Sequence, residues 1–91
     1  MTREEAEYAC EGESGVLFAD GYDDCIIGVV HHPEVKIVYD ADEMIQSMIE
    51  DKEMGMDLED CLEHMASNIE GAYVGEHTPI YVWGVDRGEK I

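Results

Sequence analysis

The chain predicts an α+β fold: a small antiparallel sheet in the order β-β-β-α-α-β, with two helices packed on one face. Three observations predict it. The β-rich segments "GVLFA", "CIIGVVHH" and "VKIVY" follow one another in the first half, and "PIYVWGV" lies near the end. Between them lie two stretches with apolar residues at helical spacing. Neither kind of element buries its apolar side alone, so the economical arrangement is a two-layer sandwich. With 91 residues there is room for one domain.

The elements follow in order. Residues 1–14 have no usable period. Glu4, Glu5, Glu7, Glu11 and Glu13 make 1–15 an acidic N-terminal arm, with one frayed helical turn around Ala6 and Ala9. Gly12 and Gly15 separate it from a domain over 16–85, and 86–91 form a tail. The first strand is expected over 16–19, then a turn at Asp20-Gly21. A second strand follows over 25–31, where Gly28 suggests a bulge. "HHPE" turns the chain, because Pro33 cannot donate to a ladder. The third strand, 35–39, alternates and runs antiparallel to the second.

Asp40 has the short acceptor side chain of a helix N-cap, and Glu43 stands at the capping-box spacing. Ala41, Met44, Ile45, Met48 and Ile49 share one face of a helix over 41–53, which Gly55 ends. Asp57 caps a second helix over 58–70, with Glu59 and Asp60 in its first turn. Leu58, Cys61, Leu62, Met65, Ala66 and Ile69 form its apolar stripe, with Leu62 near the centre. Gly71 or Gly75 stops it, and Thr78-Pro79 biases the chain to extended backbone before the fourth strand. Met44, Met48 and Met65 are expected as core filling.

Charge narrows the functional classes. There are 23 acids against 5 bases, a net of −18. Between Lys36 and Arg87 the only base is Lys52. Such a field repels nucleic acid and anionic membrane and favours basic partners. A halophilic origin would also suit the acid excess, but Thr is confined to Thr2 and Thr78 while Ile, Met and Cys are plentiful. No apolar run approaches the roughly 18 residues of a membrane span. "MTREEAEYACEGES" has neither the basic start nor the apolar centre of a signal peptide, so a cytoplasmic protein is expected. Cys10, Cys25 and Cys61 are odd in number and form no C-x-x-C, which speaks against disulfides and cysteine-rich zinc sites. Reduced thiols are expected, with Cys25 and Cys61 buried.

Two groups of residues stand out as candidate sites. The outward helix faces carry Glu43, Glu50, Asp60 and Glu63, which suit docking on a basic surface. A polar site is the alternative, built from Asp20, Asp23, Asp24, Asn68, Tyr73, Glu76 and His77. Clustered carboxylates at "DGYDD" suit hard cations, but the spacing is not that of an EF-hand loop and turn chemistry explains them more cheaply. His31, His32, His64 and His77 would hold zinc only if the fold brought them together. No nucleophile elbow and no phosphate-cradling glycine loop is present. In "NIEGAYVGEHTPIYV" a structural corner accounts for every residue except Glu76 and His77.

Three stretches carry a resemblance: "FADGYDDCIIGV", "VYDADEMI" and "GMDLEDCLEHMASNIEGAYVGEHTPIYV". They resemble the "FADGxxDAxxG", "VYDxDK" and "GMxxEEAxEYxxxNxxGAYVGExTPxF" patterns of small uncharacterised proteins of tailed bacteriophages and prophages. The likeness spans roughly 16–82, and its last pattern is the specific one. The chain departs from it at Glu43, Met65 and Ser67, and the N-terminal arm is its own. The resemblance implies a phage origin and no established activity.

A non-enzymatic binder is the leading expectation. It would be a phage-encoded acidic inhibitor, of anti-CRISPR or other anti-defence kind, docking where a host nucleic-acid-handling protein presents Lys and Arg to phosphates. It needs no cofactor and no direct contact with nucleic acid. The alternatives are a phage housekeeping protein that self-associates as a homo-oligomer, and a small metal-binding enzyme using Asp20, Asp23 and Asp24.

Overall fold

A computed structural model describes residues 1–72 and 74–85. Tyr73 and the tail over 86–91 lie outside the described residues. The fold is α+β. Helix α1 spans Arg3–Ala9, strand β1 Ile26–Val30, strand β2 Lys36–Asp40, helix α2 Ala41–Glu50, helix α3 Leu58–His64 and strand β3 Ile80–Val82. The sheet order is β1-β2-β3.

β1 and β2 form the expected antiparallel hairpin, with a register irregularity between Ile26 and Gly28 where a bulge is expected. β3 departs from expectation. It pairs parallel to β2, with Val38 opposite Ile80 and Asp40 opposite Val82. Strand direction is not written in a three-residue apolar pattern. It is set by the connection: a parallel partner needs a long crossover, and the chain between β2 and β3 holds both helices.

The expected strand over 16–19 joins no ladder. Its backbone is satisfied differently: the Ala19 N–H donates to the Tyr39 hydroxyl at 2.7 Å. Phe18 packs against the core, with the Arg3 guanidinium 3.9 Å above its ring.

The acidic arm is a second departure. Thr2 and Glu5 form a capping box, so α1 is a defined helix of seven residues. Ala6 and Cys10 are buried in the same core as Ile26, Ile37 and Tyr39. The arm therefore belongs to the domain, and its acids are the solvated side of a helix packed on β1.

Both later helices are capped as expected. Asp40 accepts from the Glu43 N–H at 3.2 Å and Asp57 from the Asp60 N–H at 2.9 Å. α2 buries Ala41, Met44, Ile45 and Met48, but it ends at Glu50, short of the expected 53. Gly55 lies beyond a turn, at φ +60°. α3 is α-helical only to His64, then widens into a π-turn over Met65–Ile69, where the Glu70 N–H reaches the Met65 carbonyl. The six-residue stripe shrinks to one line: Cys61 and Met65 are fully buried, while Leu58 and Leu62 are 55 % and 44 % exposed. Leu62 is thus a flank residue and not a core residue. Met44, Met48 and Met65 fill the core as expected, and Cys10, Cys25 and Cys61 are all buried and form no disulfide.

Candidate functional site

The acidic side chains are built outward by the same periodicity that builds the core. On α2, burying Met44, Ile45 and Met48 leaves Glu43, Gln46, Ser47 and Glu50 outside, and these line a shallow groove with Asp24. On α3, burying Cys61 and Met65 leaves Asp60 and Glu63 outside, lining a second groove with Met56 and Ser67. Glu43, Glu50, Asp60 and Glu63 are all exposed. Among the described carboxylates Asp40, the α2 cap, is the single buried one.

A third groove is apolar. Its volume is about 360 Å³. That is near the lower end of the roughly 300–1,000 Å³ of ligand pockets, which suits one or two side chains better than a large cofactor. Leu17, Phe18, Tyr22, Ile69, Pro79 and Tyr81 are among its lining residues. Burial pushes the Tyr22 and Tyr81 phenols up, with Cys25 adding to the first and Glu70 to the second. His64 and Asn68 line both this groove and the acidic groove of α3, with the Asn68 amide 3.0 Å from His64 Nδ1.

The alternative polar site is dispersed. Asp20 and Asn68 do meet, at the apolar groove. Asp23 stands 3.5 Å from Arg3, and Asp24 belongs to the α2 groove. His77 Nδ1–H donates to the Val35 carbonyl at 2.7 Å, with Nε2 3.9 Å from Glu13. The ring therefore has a local structural job, tying the corner to the start of β2. Glu76 is exposed, and Tyr73 lies outside the described residues.

The corner itself is a turn held by Thr78, whose hydroxyl donates to the Gly75 carbonyl and accepts from the Val74 N–H. Gly75 sits at φ +123°, and a Cβ on Gly71 would stand 2.9 Å from the Ala66 carbonyl oxygen. Both glycines are required by backbone geometry.

His31 contacts the Ala9 carbonyl, His64 contacts Asn68 and His77 contacts Val35, so these histidines serve separate places. Among the described residues no group of three or more His, Cys, Asp or Glu is placed to hold a metal ion. Burial, with Asp60 and Asp57, raises the Cys61 thiol, which disfavours the nucleophilic thiolate. Sequence reasoning missed the apolar groove and its His64–Asn68 rim. The i,i+4 spacing of that pair was the available signal. Comparison with protein-family models, curated proteins and solved structures returned no match. Among the described residues no helix is long and apolar enough to cross a membrane.

Proposed function

We propose that this chain is a small acidic phage protein that works without catalysis. It binds a basic surface of a host nucleic-acid-handling protein in the cytoplasm, as an anti-defence inhibitor of anti-CRISPR type would. The observation that carries the reading is the placement of charge. Asp42, Glu43, Glu50, Asp51, Glu53, Asp57, Glu59, Asp60 and Glu63 are exposed along α2, α3 and their link, where Lys52 is the only Lys or Arg. Glu43 and Glu50 lie two helical turns apart, about 10 Å along the axis. Such a surface offers carboxylates where a Lys/Arg groove expects phosphates.

The test is capture from host lysate with a tagged protein, read by mass spectrometry. Changing Glu43, Glu50, Asp60 and Glu63 together to Lys abolishes capture of a basic target and leaves the chain folded, because all four are exposed. Salt weakens the wild-type complex, since exposed charges are screened over about 8 Å at physiological ionic strength. Changing Asp20 and Glu76, loop acids outside the two acidic helix grooves, to Ala leaves capture intact. The reverse pattern overturns the reading in favour of the loops.

Self-association is the second reading, and the exposure of Leu58 and Leu62 favours it. Sedimentation velocity separates the two. A dimer that Leu58→Ser with Leu62→Ser dissociates supports assembly as the role.

A further inference from the structure

The binder reading leaves open what kind of basic segment is bound, and the grooves narrow it. Resting on that reading, we propose that the ridge of His64 and Asn68 seats a short peptide segment of the partner. That segment carries an apolar or aromatic side chain within a few positions of an Arg or Lys.

The argument starts from adjacency. The apolar groove and the acidic groove of α3 share His64 and Asn68 as lining residues, so they are the two slopes of one ridge. On one slope Phe18, Ile69 and Tyr81 form an apolar wall. On the other stand Asp60 and Glu63, with no Lys or Arg among the lining residues. An apolar side chain gains from leaving water on the first slope, and a cation is attracted on the second. In an extended peptide, side chains two positions apart share a face roughly 7 Å apart. In a helix, side chains three or four apart stand about 5–6 Å apart. Nucleic acid and acidic peptides are disfavoured by the net charge of −18. The π-turn that widens the helix at Met65–Ile69 contributes Asn68 to both grooves, and such turns recur at functional sites.

The apolar slope is the new element, and it makes a demand that charge alone does not. The probes are capped hexapeptides titrated into the isotope-labelled chain and followed by amide NMR at about 0.15 M salt. One set places Phe two positions from Arg, a second is all Arg, and a third places Phe among Ser. The Phe/Arg set should bind about tenfold tighter than either control, the gain of burying one large apolar side chain. Its shifts should concentrate at His64, Asn68, Ile69 and Tyr81. Ala72→Trp or Val74→Trp, filling the groove at its rim, should remove that gain and leave all-Arg affinity unchanged. Retained dispersion in the amide spectrum certifies that each variant is folded.

Equal affinity of the Phe/Arg and all-Arg sets overturns the groove proposal. So does a gain that survives both Trp variants. All-Arg peptides that bind equally well after Glu43, Glu50, Asp60 and Glu63 are changed to Lys overturn the acidic-surface reading instead, so the two failures are distinct.

Discussion

Tyr39 ties three parts of the molecule together. Its ring is fully buried and stacks on Tyr81 with centroids 5.7 Å apart, while its hydroxyl accepts the Ala19 N–H. Burial is the main cause pushing its pKa up to about 12; Tyr81 and Asp23 push the same way, while the Ala19 bond and Arg3 oppose. The alternation of Val35, Ile37 and Tyr39 made its burial legible in the sequence. Its partnership with Ala19 was not legible, because a side chain standing in for a β-ladder leaves no local pattern. The sign of the linkage is definite. A phenol whose folded pKa is raised stabilises the fold fully below the unfolded value near 10, and the contribution disappears as pH rises towards 12. Tyr39→Phe should therefore cost about 1–3 kcal/mol at neutral pH, because it strips the Ala19 N–H of its acceptor. It should also make the alkaline loss of stability shallower between pH 10 and 12. Denaturant melts across that range, wild type against variant, measure both effects. Parallel curves would show that the hydroxyl does not carry the linkage.

The caps, the core methionines and the outward acids of α2 and α3 were readable, since each follows from short-range spacing. The depth of burial was not. The stripe of α3 is wide enough to face two neighbours. In this domain α3 packs on α2, which covers only the line through Cys61 and Met65, and Leu58 and Leu62 fall to the side. Likewise α1 shows a capping box at Thr2 and Glu5, but its buried face along the helix amounts to one Ala6. A single small apolar side chain gives no detectable period, so a packed helix reads as a charged arm. The candidate site divides the same way: the exposed acids came from periodicity, while the apolar groove joins residues far apart in the chain. The element-scale prediction compares α3 positions. Met65→Ala should cost about 2–4 kcal/mol, by leaving a cavity in the core. Leu62→Ala, from a half-exposed flank, should cost under about 1 kcal/mol. Urea melts giving Leu62 the larger cost would restore the broad stripe and overturn the observed rotation of the helix.

At the scale of the whole molecule, the fold spreads its charge over a flattened body of 38 × 35 × 21 Å, with a radius of gyration of 13.5 Å. A compact chain of this length has a radius of about 12 Å, so the acids are set a little further apart than in a sphere. Few bases offset them. Arg3 is engaged with Glu7 and Asp23, and exposed pairs of this kind contribute on the order of 0–1 kcal/mol. Self-repulsion therefore opposes folding, and its reach depends on salt. The screening length is about 30 Å at 0.01 M, comparable with the molecule, and about 8 Å at 0.15 M. Raising NaCl across that interval should increase Tm, and each kcal/mol of repulsion relieved should appear as roughly 4–8 °C for a domain of this size. Further salt should add little. Changing Glu43, Glu50, Asp60 and Glu63 to Lys takes the net charge from −18 by eight units to −10, and should flatten the salt dependence while raising Tm at low salt. Salt thus acts in opposite senses on the two equilibria, strengthening the free fold and weakening a complex held by a basic partner. Calorimetric scans of both proteins from about 0.01 to 0.5 M NaCl measure the first. A Tm that ignores salt in the wild type would mean that the acids are too far apart to act together, and would remove the common field on which the proposed binding surface depends.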